Sequence, residues 1–261
     1  METLESERRG AVAIVRLARP PVNAVSRLMM RELRQSFEDL ADERDVAAVV
    51  LSASGRVFCA GIDLKEQKKE ATQGRSNPSV AAVLDSGRFW RDTQHAIRHC
   101  PVPVIAAVDG ATIGAGFGLV GVCDIIVASE QASFALTEIN VGRLGGSAKA
   151  MRMVGPFKAR MMFFSGEAVP AAEFYRLGAV EEIVEAGQAE ARAIAMGEKF
   201  ASKSPIALRL AKESMLRIED MPVEDAYRTE QDYTQRLKTY NDSAEALLAY
   251  LEKRSPEWTW S

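Results

Sequence analysis

Residues 103–129, PVIAAVDGATIGAGFGLVGVCDIIVAS, decide the fold of this 261-residue chain. Two short apolar runs, 102–108 and 124–129, flank a segment with five glycines between residues 110 and 121. Runs of this length without polar alternation are typical of strands buried on both faces of a parallel sheet. The glycines between them predict a turn followed by a short helix that begins near Gly114.

The rest of the chain extends this pattern in both directions. Residues 11–17 and 46–52 predict further buried strands, and residues 180–184 predict a weaker one. Helical periodicity covers residues 27–40 and 80–100, whereas the polar segment 66–79 predicts an exposed mobile loop. After residue 186 only helical patterns follow, with Ser-Pro at 204–205 and Met-Pro at 221–222 marking helix starts. We therefore expect an α/β core over residues 1–186 and a helical region over 187–261.

Charge and composition exclude several classes of partner. The chain has 33 Lys and Arg against 36 Asp and Glu, so no basic surplus favours nucleic acid or an acidic membrane. The longest apolar stretch, 102–122, is divided by Asp109 and by glycines, which indicates core rather than a membrane span. No signal segment precedes the first strand, so a cytoplasmic location is expected.

The metal-ligating residue types do not form a recognisable site. Cys59, Cys100 and Cys123 lack C-x-x-C spacing, which predicts buried, reduced thiols. His95 and His99 lie one helical turn apart, but no third ligand is evident. The sequence predicts no metal site.

A dinucleotide-binding function is tested by the glycine spacing. Gly116, Gly118 and Gly121 match G-x-G-x-x-G, yet residues 109–115 separate the first of them from the preceding strand. A helix that opened at Gly118 would have only about a turn and a half before the next strand. A nicotinamide-dependent oxidoreductase is therefore the least favoured function.

A second use of the glycines is to expose backbone N–H groups. A helix that begins near Gly114 presents a positive end without bulky side chains, and the turn SGRVFCAGIDL at 54–64 offers another corner of small residues. Two amides from separate turns that point to one place form an oxyanion hole. Tight packing of small residues is the alternative interpretation of either segment alone.

Taken together, FCAGIDL at 58–64 and PVIAAVDGATIGAGFGLVGVCDIIVASEQASFALTEINVG at 103–142 resemble the crotonase (enoyl-CoA hydratase/isomerase) superfamily. The resemblance implies a spiral of ββα repeats with C-terminal helices, assembled as a homotrimer or a dimer of trimers. It also implies an acyl-CoA substrate, in which coenzyme A is part of the substrate, with no covalently bound cofactor.

The resemblance assigns roles to particular residues. It implies an oxyanion hole from the amides of Ala60 and Ala115, the latter at a position where family members usually carry glycine. Glu138 corresponds to a catalytic acid/base. The residues implied in coenzyme A binding are Ala60, Ile62, Asp63, Leu64, Tyr250 and Lys253.

The most informative departure from the family is Gly118. Hydratases of this family activate water with two glutamates, and glycine stands at the position of the first. Three reactions remain open with Glu138 as the sole acid/base: isomerisation of a 3-enoyl-CoA, hydration with another polar partner, and hydrolytic opening of a cyclic β-keto acyl-CoA. Loss of catalysis, leaving a noncatalytic protein that binds CoA esters, is the alternative from a different class.

Two further segments favour the ring-opening reaction. GFGLVGVCDIIVASE at 116–130 and AYRTEQDYTQRL at 226–237 are similar to the ring-opening acyl-CoA hydrolases of bacterial steroid C/D-ring breakdown. Arg143 and Lys149 are candidates to bind a substrate carboxylate. Tyr227 and Tyr233 are candidates to reach the substrate pocket, and Trp258 and Trp260 suggest a tail that docks on another surface.

Overall fold

Ten strands form two sheets in the computed structural model, which describes residues 1–73, 80, 84–85 and 87–261, the side chains of 69–73 excepted. The strands are β1 Leu4–Arg9, β2 Val12–Leu17, β3 Ala48–Ala53, β4 Val57–Cys59, β5 Val104–Val108, β6 Ala111–Ile113, β7 Ile125–Ser129, β8 Ser133–Ala135, β9 Val169–Pro170 and β10 Glu182–Val184.

The larger sheet has six strands in the order β1-β2-β3-β5-β7-β10. All its pairings are parallel except that of β1 with β2, and Val50 of β3 lies opposite Ile105 of β5. β5 is buried along its whole length. This explains why its sequence is apolar without alternation.

The smaller sheet has the order β4-β6-β8-β9. Successive strand pairs, β3 with β4, β5 with β6 and β7 with β8, each contribute one strand to each sheet, and a helix follows each pair. The chain therefore winds through repeated ββα units. The predicted α/β spiral is confirmed.

The helices complete each turn of this spiral. Those in the described residues are α1 Arg27–Ala41, α2 Leu64–Gln73, α3 Arg88–Arg98, α4 Ala115–Val120, α5 Ser147–Ser165, α6 Ala171–Arg176, α7 Ala189–Ala201, α8 Pro205–Ile218, α9 Val223–Leu237 and α10 Asn241–Glu252. Ser204 caps α8 by accepting a hydrogen bond from the Ala207 amide, with Pro205 in the first turn. The predicted start at 204–205 is thereby confirmed.

The predicted buried strands are confirmed to within two residues at each end. The predicted loop at 66–79 is wrong in its first part, because α2 continues to Gln73 with a lysine-rich helical sequence. Residues 74–79 lie outside the described residues. Of the predicted helix over 80–100, the structure shows α3 from Arg88 to Arg98, and residues 81–83 and 86 also lie outside the described residues.

The main core lies between the two sheets and the helices around them. Phe117, Phe134 and Phe174 pack edge-to-face or tilted at its centre and are fully buried. On the other face of the larger sheet, α7 packs Ala189 and Ala193 against the strands. The helical region after residue 186 thus begins with a helix that covers the sheet.

The C-terminal tail docks on its own chain. Asp242, which is fully buried, accepts hydrogen bonds from the amides of Thr259 and Trp260. The Arg209 guanidinium lies 4.5 Å from the centre of the Trp260 ring. The predicted docking surface for Trp260 is therefore found within one chain.

The cysteines have the environment that the sequence predicts, since Cys59, Cys100 and Cys123 are free and buried. In the part of the chain that the structure describes, no helix is both long and apolar enough to cross a membrane.

An ion pair between a buried lysine and a more accessible aspartate attaches α8 to the sheet. Lys212 is 4 % exposed, and its Nζ lies 2.6 Å from Asp124 Oδ2 and 2.9 Å from the Val102 carbonyl oxygen. Asp124 also accepts the Val104 amide at the start of β5. The pair therefore fixes the helix and the strand to each other.

We predict that Asp124→Ala lowers the free energy of unfolding by about 3 kcal/mol, because it leaves the Lys212 charge buried without a counter-ion. Urea denaturation of the variant measures the loss. The double variant Asp124→Ala/Lys212→Met is the control and is expected to recover part of it. Equal losses in the two proteins would contradict the ion-pair explanation.

Candidate active site

A cavity of about 560 Å³ opens between α2, α3, the start of α4 and the loop that follows β8. It brings together the two segments that the sequence singled out, although Ala60 and Ala115 are 55 positions apart in the chain. The predicted residues that line it are Ala60, Ile62, Leu64, Ala115, Gly118, Glu138, Arg143 and Lys149.

The start of α4 faces this cavity with a free amide. Gly114 precedes the helix with φ 55°, which glycine adopts without strain, and Ala115 is the first helical residue. Amides in the first turn of a helix have no intrahelical acceptor. Because Ala115 does not have a positive φ, its methyl group introduces no backbone strain.

The second predicted donor, the Ala60 amide, is already hydrogen-bonded within the chain. The Ala60 amide donates to the Val22 carbonyl at 3.0 Å, so it is not available to an oxyanion. The assignment of Ala60 as a hole donor is therefore wrong. On either side of Ile62, the Gly61 carbonyl and the Asp63 amide are hydrogen-bonded to the backbone of Val25. The Ile62 amide itself has no acceptor in the part of the chain that the structure describes.

The Ile62 corner lies against the start of α4. Gly61, with φ 99°, approaches so closely that an added methyl group would lie 3.8 Å from the Ala115 nitrogen. Two free amides from separate turns therefore border one cavity. Two amides placed in this way can donate to one anionic oxygen.

Glu138 begins a 3₁₀ turn, Glu138–Val141, and its carboxyl group points into the same cavity. Methyl groups built on Gly114 or Gly145 would lie 3.3 and 3.2 Å from its Oε1, so the carboxyl group packs closely against both glycines. Glu138 Oε2 is buried and has no hydrogen-bond partner among the described residues. Burial raises the pKa of Glu138 above its ordinary value of 4.5.

The position of the absent first glutamate is filled from α3. A methyl group built on Gly118 would lie 3.2 Å from the ring of Trp90 and 4.0 Å from Gln94 Nε2. Both side chains line the cavity. Sequence analysis missed them because α3 carries no motif, and their one signal is the spacing of four residues that puts them on one helix face.

Lys149 and Arg143 lie on the α5 side of the cavity. Arg143 is exposed, whereas Lys149 is partly buried and also borders a second cavity of about 690 Å³. Burial, with a smaller contribution from Arg98, lowers the pKa of Lys149. Within the described residues no carboxylate pairs with Lys149, whereas Arg98 and Arg152 both pair with Glu219.

Other predicted residues lie away from the cavity. Asp63 pairs with Arg19 at 2.5 Å and accepts the Lys65 and Glu66 amides at the start of α2; these hydrogen bonds hold the pKa of Asp63 below its ordinary value despite partial burial. Tyr227 and Tyr250 are exposed on α9 and α10, and Lys253 ends α10 at the surface.

The remaining candidates have structural contacts. The Tyr233 hydroxyl donates to Glu213 on α8. His95 and His99 stack with ring centroids 3.9 Å apart. Among the residues that the structure describes, no group of three or more His, Cys, Asp or Glu side chains is placed to hold a metal ion.

Comparison with known sequences identifies the family of the chain. The family profile described as Enoyl-CoA hydratase/isomerase matches residues 7–260. The chain belongs to the enoyl-CoA hydratase/isomerase family. Members of this family act on acyl-CoA thioesters, and the chain is an enzyme of this family.

Curated relatives in the enoyl-CoA hydratase/isomerase family have two kinds of name. A Mycobacterium tuberculosis protein named (7aS)-7a-methyl-1,5-dioxo-2,3,5,6,7,7a-hexahydro-1H-indene-carboxyl-CoA hydrolase is 36% identical over 90% of this chain and 92% of its own length. A probable enoyl-CoA hydratase from Rhizobium meliloti is 34% identical, with 98% of each chain covered.

Solved structures of the family agree with the fold. The Bacillus anthracis enoyl-CoA hydratase superposes with a TM-score of 0.89 at 29% identity, over 99% of this chain and 100% of that one. The Mycobacterium smegmatis enoyl-CoA hydratase gives 0.88 at 34% identity, with 98% of both chains covered. The predicted resemblance to this family is confirmed.

We predict that the stability advantage of Glu138→Gln over the natural protein grows as pH rises. A raised folded-state pKa means that the neutral carboxyl stabilises the fold below pH 4.5 and that this contribution is lost as pH increases through the folded-state pKa. Thermal unfolding at pH 5 and pH 8 checks it. A difference that is constant with pH would contradict a buried, unpaired Glu138 carboxylate.

We predict that Gly118→Glu does not restore hydration of crotonyl-CoA, because Trp90 occupies the space that the side chain needs. The variant is expected to lose about 1–3 kcal/mol of unfolding free energy through overpacking. Urea denaturation and a hydration assay measure the two effects. In the control Gly118→Glu/Trp90→Leu, where the ring is absent, stability should return, and an unchanged stability in Gly118→Glu alone would contradict the steric argument.

Proposed function

We propose that this enzyme opens a cyclic β-keto acyl-CoA by hydrolysis of a carbon–carbon bond, with Glu138 as its acid/base. The observation that carries the proposal is that Glu138 Oε2 is unpaired among the described residues, while Gly118, which lies against Trp90, provides no second acid. The other cavity carboxylate, Glu66, accepts the Arg27 amide.

The proposed reaction begins with water. The Glu138 carboxylate takes a proton from a water molecule, whose oxygen attacks the β-ketone carbon of the ring. The bond between that carbon and the α-carbon of the thioester breaks, and its electron pair forms a thioester enolate. The α-carbon then takes the proton back from Glu138, which yields a ring-opened carboxylic acid that still carries the CoA thioester.

The backbone stabilises the charge that this sequence creates. We assign the amides of Ile62 and Ala115 as the donors to the enolate oxygen, since both border the cavity and neither has an acceptor among the described residues. Removal of one such donor from an enzyme typically costs about 10²–10³ in kcat. Coenzyme A takes part only as a portion of the substrate, and no covalently bound cofactor is needed.

The raised pKa of Glu138 suits both proton transfers. A carboxylate that is desolvated holds a proton more strongly than one in water, so it is a better base toward water at neutral pH. The protonated form then returns the proton to carbon. The name of the Mycobacterium tuberculosis relative, a hydrolase of a bicyclic diketone CoA ester, also supports this reaction.

Lys149 supports a substrate with a further acidic or carbonyl oxygen. Its ammonium group is partly buried without a carboxylate partner in the described structure and borders two cavities. A cation in this setting favours an anionic ligand. We propose that Lys149, and the more exposed Arg143, bind the acyl end of the substrate.

A second candidate reaction is isomerisation of a 3-enoyl-CoA. It also needs one carboxyl group, which removes a proton from one carbon and returns it to another without water. The same pair of amides would hold its enolate. The unpaired Glu138 Oε2 therefore favours either reaction over hydration by two carboxyl groups.

The assembly and location of the enzyme stay proposals. Exposed apolar side chains on α5 and α10, namely Phe157, Phe164, Leu247, Tyr250 and Leu251, support the predicted homotrimer or dimer of trimers. In such an assembly Tyr250 and Lys253 are proposed to reach coenzyme A from a neighbouring subunit. The three free cysteines support a cytoplasmic location.

We predict that the purified enzyme converts a bicyclic β-diketone CoA ester to a ring-opened acid in ¹⁸O-water, with one ¹⁸O in the new carboxyl group. Glu138→Gln is expected to lower kcat by about 10²–10⁴ while the Kd of the CoA ester changes little, because the amide keeps the shape but transfers no proton. Mass spectrometry and isothermal titration calorimetry measure the two quantities.

Two comparisons decide between the candidates. Turnover of a 3-enoyl-CoA without incorporation of ¹⁸O would select the isomerase, and binding of both esters without turnover would select a noncatalytic protein. Lys149→Met is expected to raise KM for a diketone ester and to leave the Kd of crotonyl-CoA unchanged. Full activity of Glu138→Gln would overturn the mechanism.

A further inference from the structure

Gln94 is a buried amide without a structural partner. It lies on α3, is 6 % exposed, and its Oε1 accepts no hydrogen bond from any described residue. Buried polar side chains in folded proteins are nearly always paired, because an unpaired one costs free energy. An exception on a cavity wall indicates a group that is kept for a ligand.

A second unpaired acceptor faces the same cavity. Glu138 Oε2 is also buried without a partner in the described structure. Gln94 Nε2 would lie 4.0 Å from a methyl group built on Gly118, and Glu138 Oε1 would lie 3.3 Å from one built on Gly114, whose carbonyl accepts the Gly118 amide. Both side chains therefore border the same part of the cavity, beside the start of α4.

These two acceptors match the donors of one water molecule. Water has two O–H groups, so one molecule donates to two acceptors through hydrogen bonds of about 2.8 Å each. A water that donates both protons keeps its lone pairs free. One of them is then directed at an electrophilic carbon in the cavity.

We infer that Gln94 holds the attacking water together with Glu138, and so takes the positioning role of the missing carboxylate. The inference rests on the proposed function, in which Glu138 removes a proton from that water. The amide orients the second O–H group but does not exchange protons at neutral pH, so all proton transfer stays with Glu138.

The site also restricts which acyl groups react. Trp90 lies one turn before Gln94 on α3 and closes the wall at Gly118. The water is therefore held beside an aromatic surface rather than beside a second acid. This favours attack on a carbonyl carbon of a flat, cyclic acyl group over addition to a simple alkene.

The test compares Gln94→Met with Thr93→Val. Methionine has a similar volume and no amide, so kcat for ring opening is expected to fall about tenfold or more while KM changes less than about threefold. Thr93 is buried on the same helix, is not among the described residues that line the cavity, and donates to the backbone carbonyls of Met30 and Phe89. Its valine variant is the control for disturbed packing and should keep the natural kcat.

A double variant separates positioning from structure. If both residues hold one water, Gln94→Met/Glu138→Gln loses no more activity than Glu138→Gln alone. Independent losses that multiply would overturn the inference. An unchanged kcat in Gln94→Met would do so as well.

Two measurements test Gln94 even if the enzyme opens no ring. Gln94→Met should unfold at a temperature no lower than the natural protein, because an unpaired buried acceptor is removed. A crystal structure with coenzyme A bound should show a water within about 2.6–3.2 Å of both Gln94 Oε1 and Glu138 Oε2. A fall of several degrees in Tm, or the absence of that water, would assign Gln94 a structural role, whereas inactivity of the natural protein toward ring substrates alone would overturn only the proposed reaction.

Discussion

The close contact between α4 and β4 is the constraint on which the site depends. A methyl group built on Gly116 would lie 2.7 Å from the Cys59 Cβ and carbonyl oxygen, so only glycine lets the helix lie against the strand. This contact fixes the first turn of α4 beside the corner that follows β4. The free amides of Ile62 and Ala115, and the glycine surface that receives the Glu138 carboxyl group, all follow from it.

The contact between α4 and β4 thereby sets the direction of the main-chain amides in the cavity. The amides of the cavity belong to small or aliphatic residues, and their direction is set by main-chain geometry rather than by a side-chain rotamer. Glu138 is held in the same way, since its carboxyl group lies between the main chains at Gly114 and Gly145. The reacting groups are therefore preorganised by three chain segments that are distant in sequence.

Sequence patterns predicted what local physics determines. The buried strands, the helix that begins near Gly114 and the retained Glu138 are each encoded within a few neighbouring residues. The short strands of the smaller sheet have two or three residues, too few to show a period. Ile62 was missed as an amide donor because the choice between it and Ala60 depends on contacts with Val22 and Val25, which are remote in sequence. Trp90 and Gln94 were missed because ordinary amphipathic helices carry such residues without functional meaning.

Because Trp90 and Gln94 lie on α3, the choice of substrate and the transfer of protons depend on different parts of the chain. The amides of Ile62 and Ala115 lie near the starts of α2 and α4, and Glu138 follows β8. The shape and polarity of the opposite wall come from α3, a separate helix. Substitutions on that helix alter what is bound and where water is held without moving the base. A protein divided in this manner can change its substrates through substitutions in a single helix while its proton chemistry stays the same.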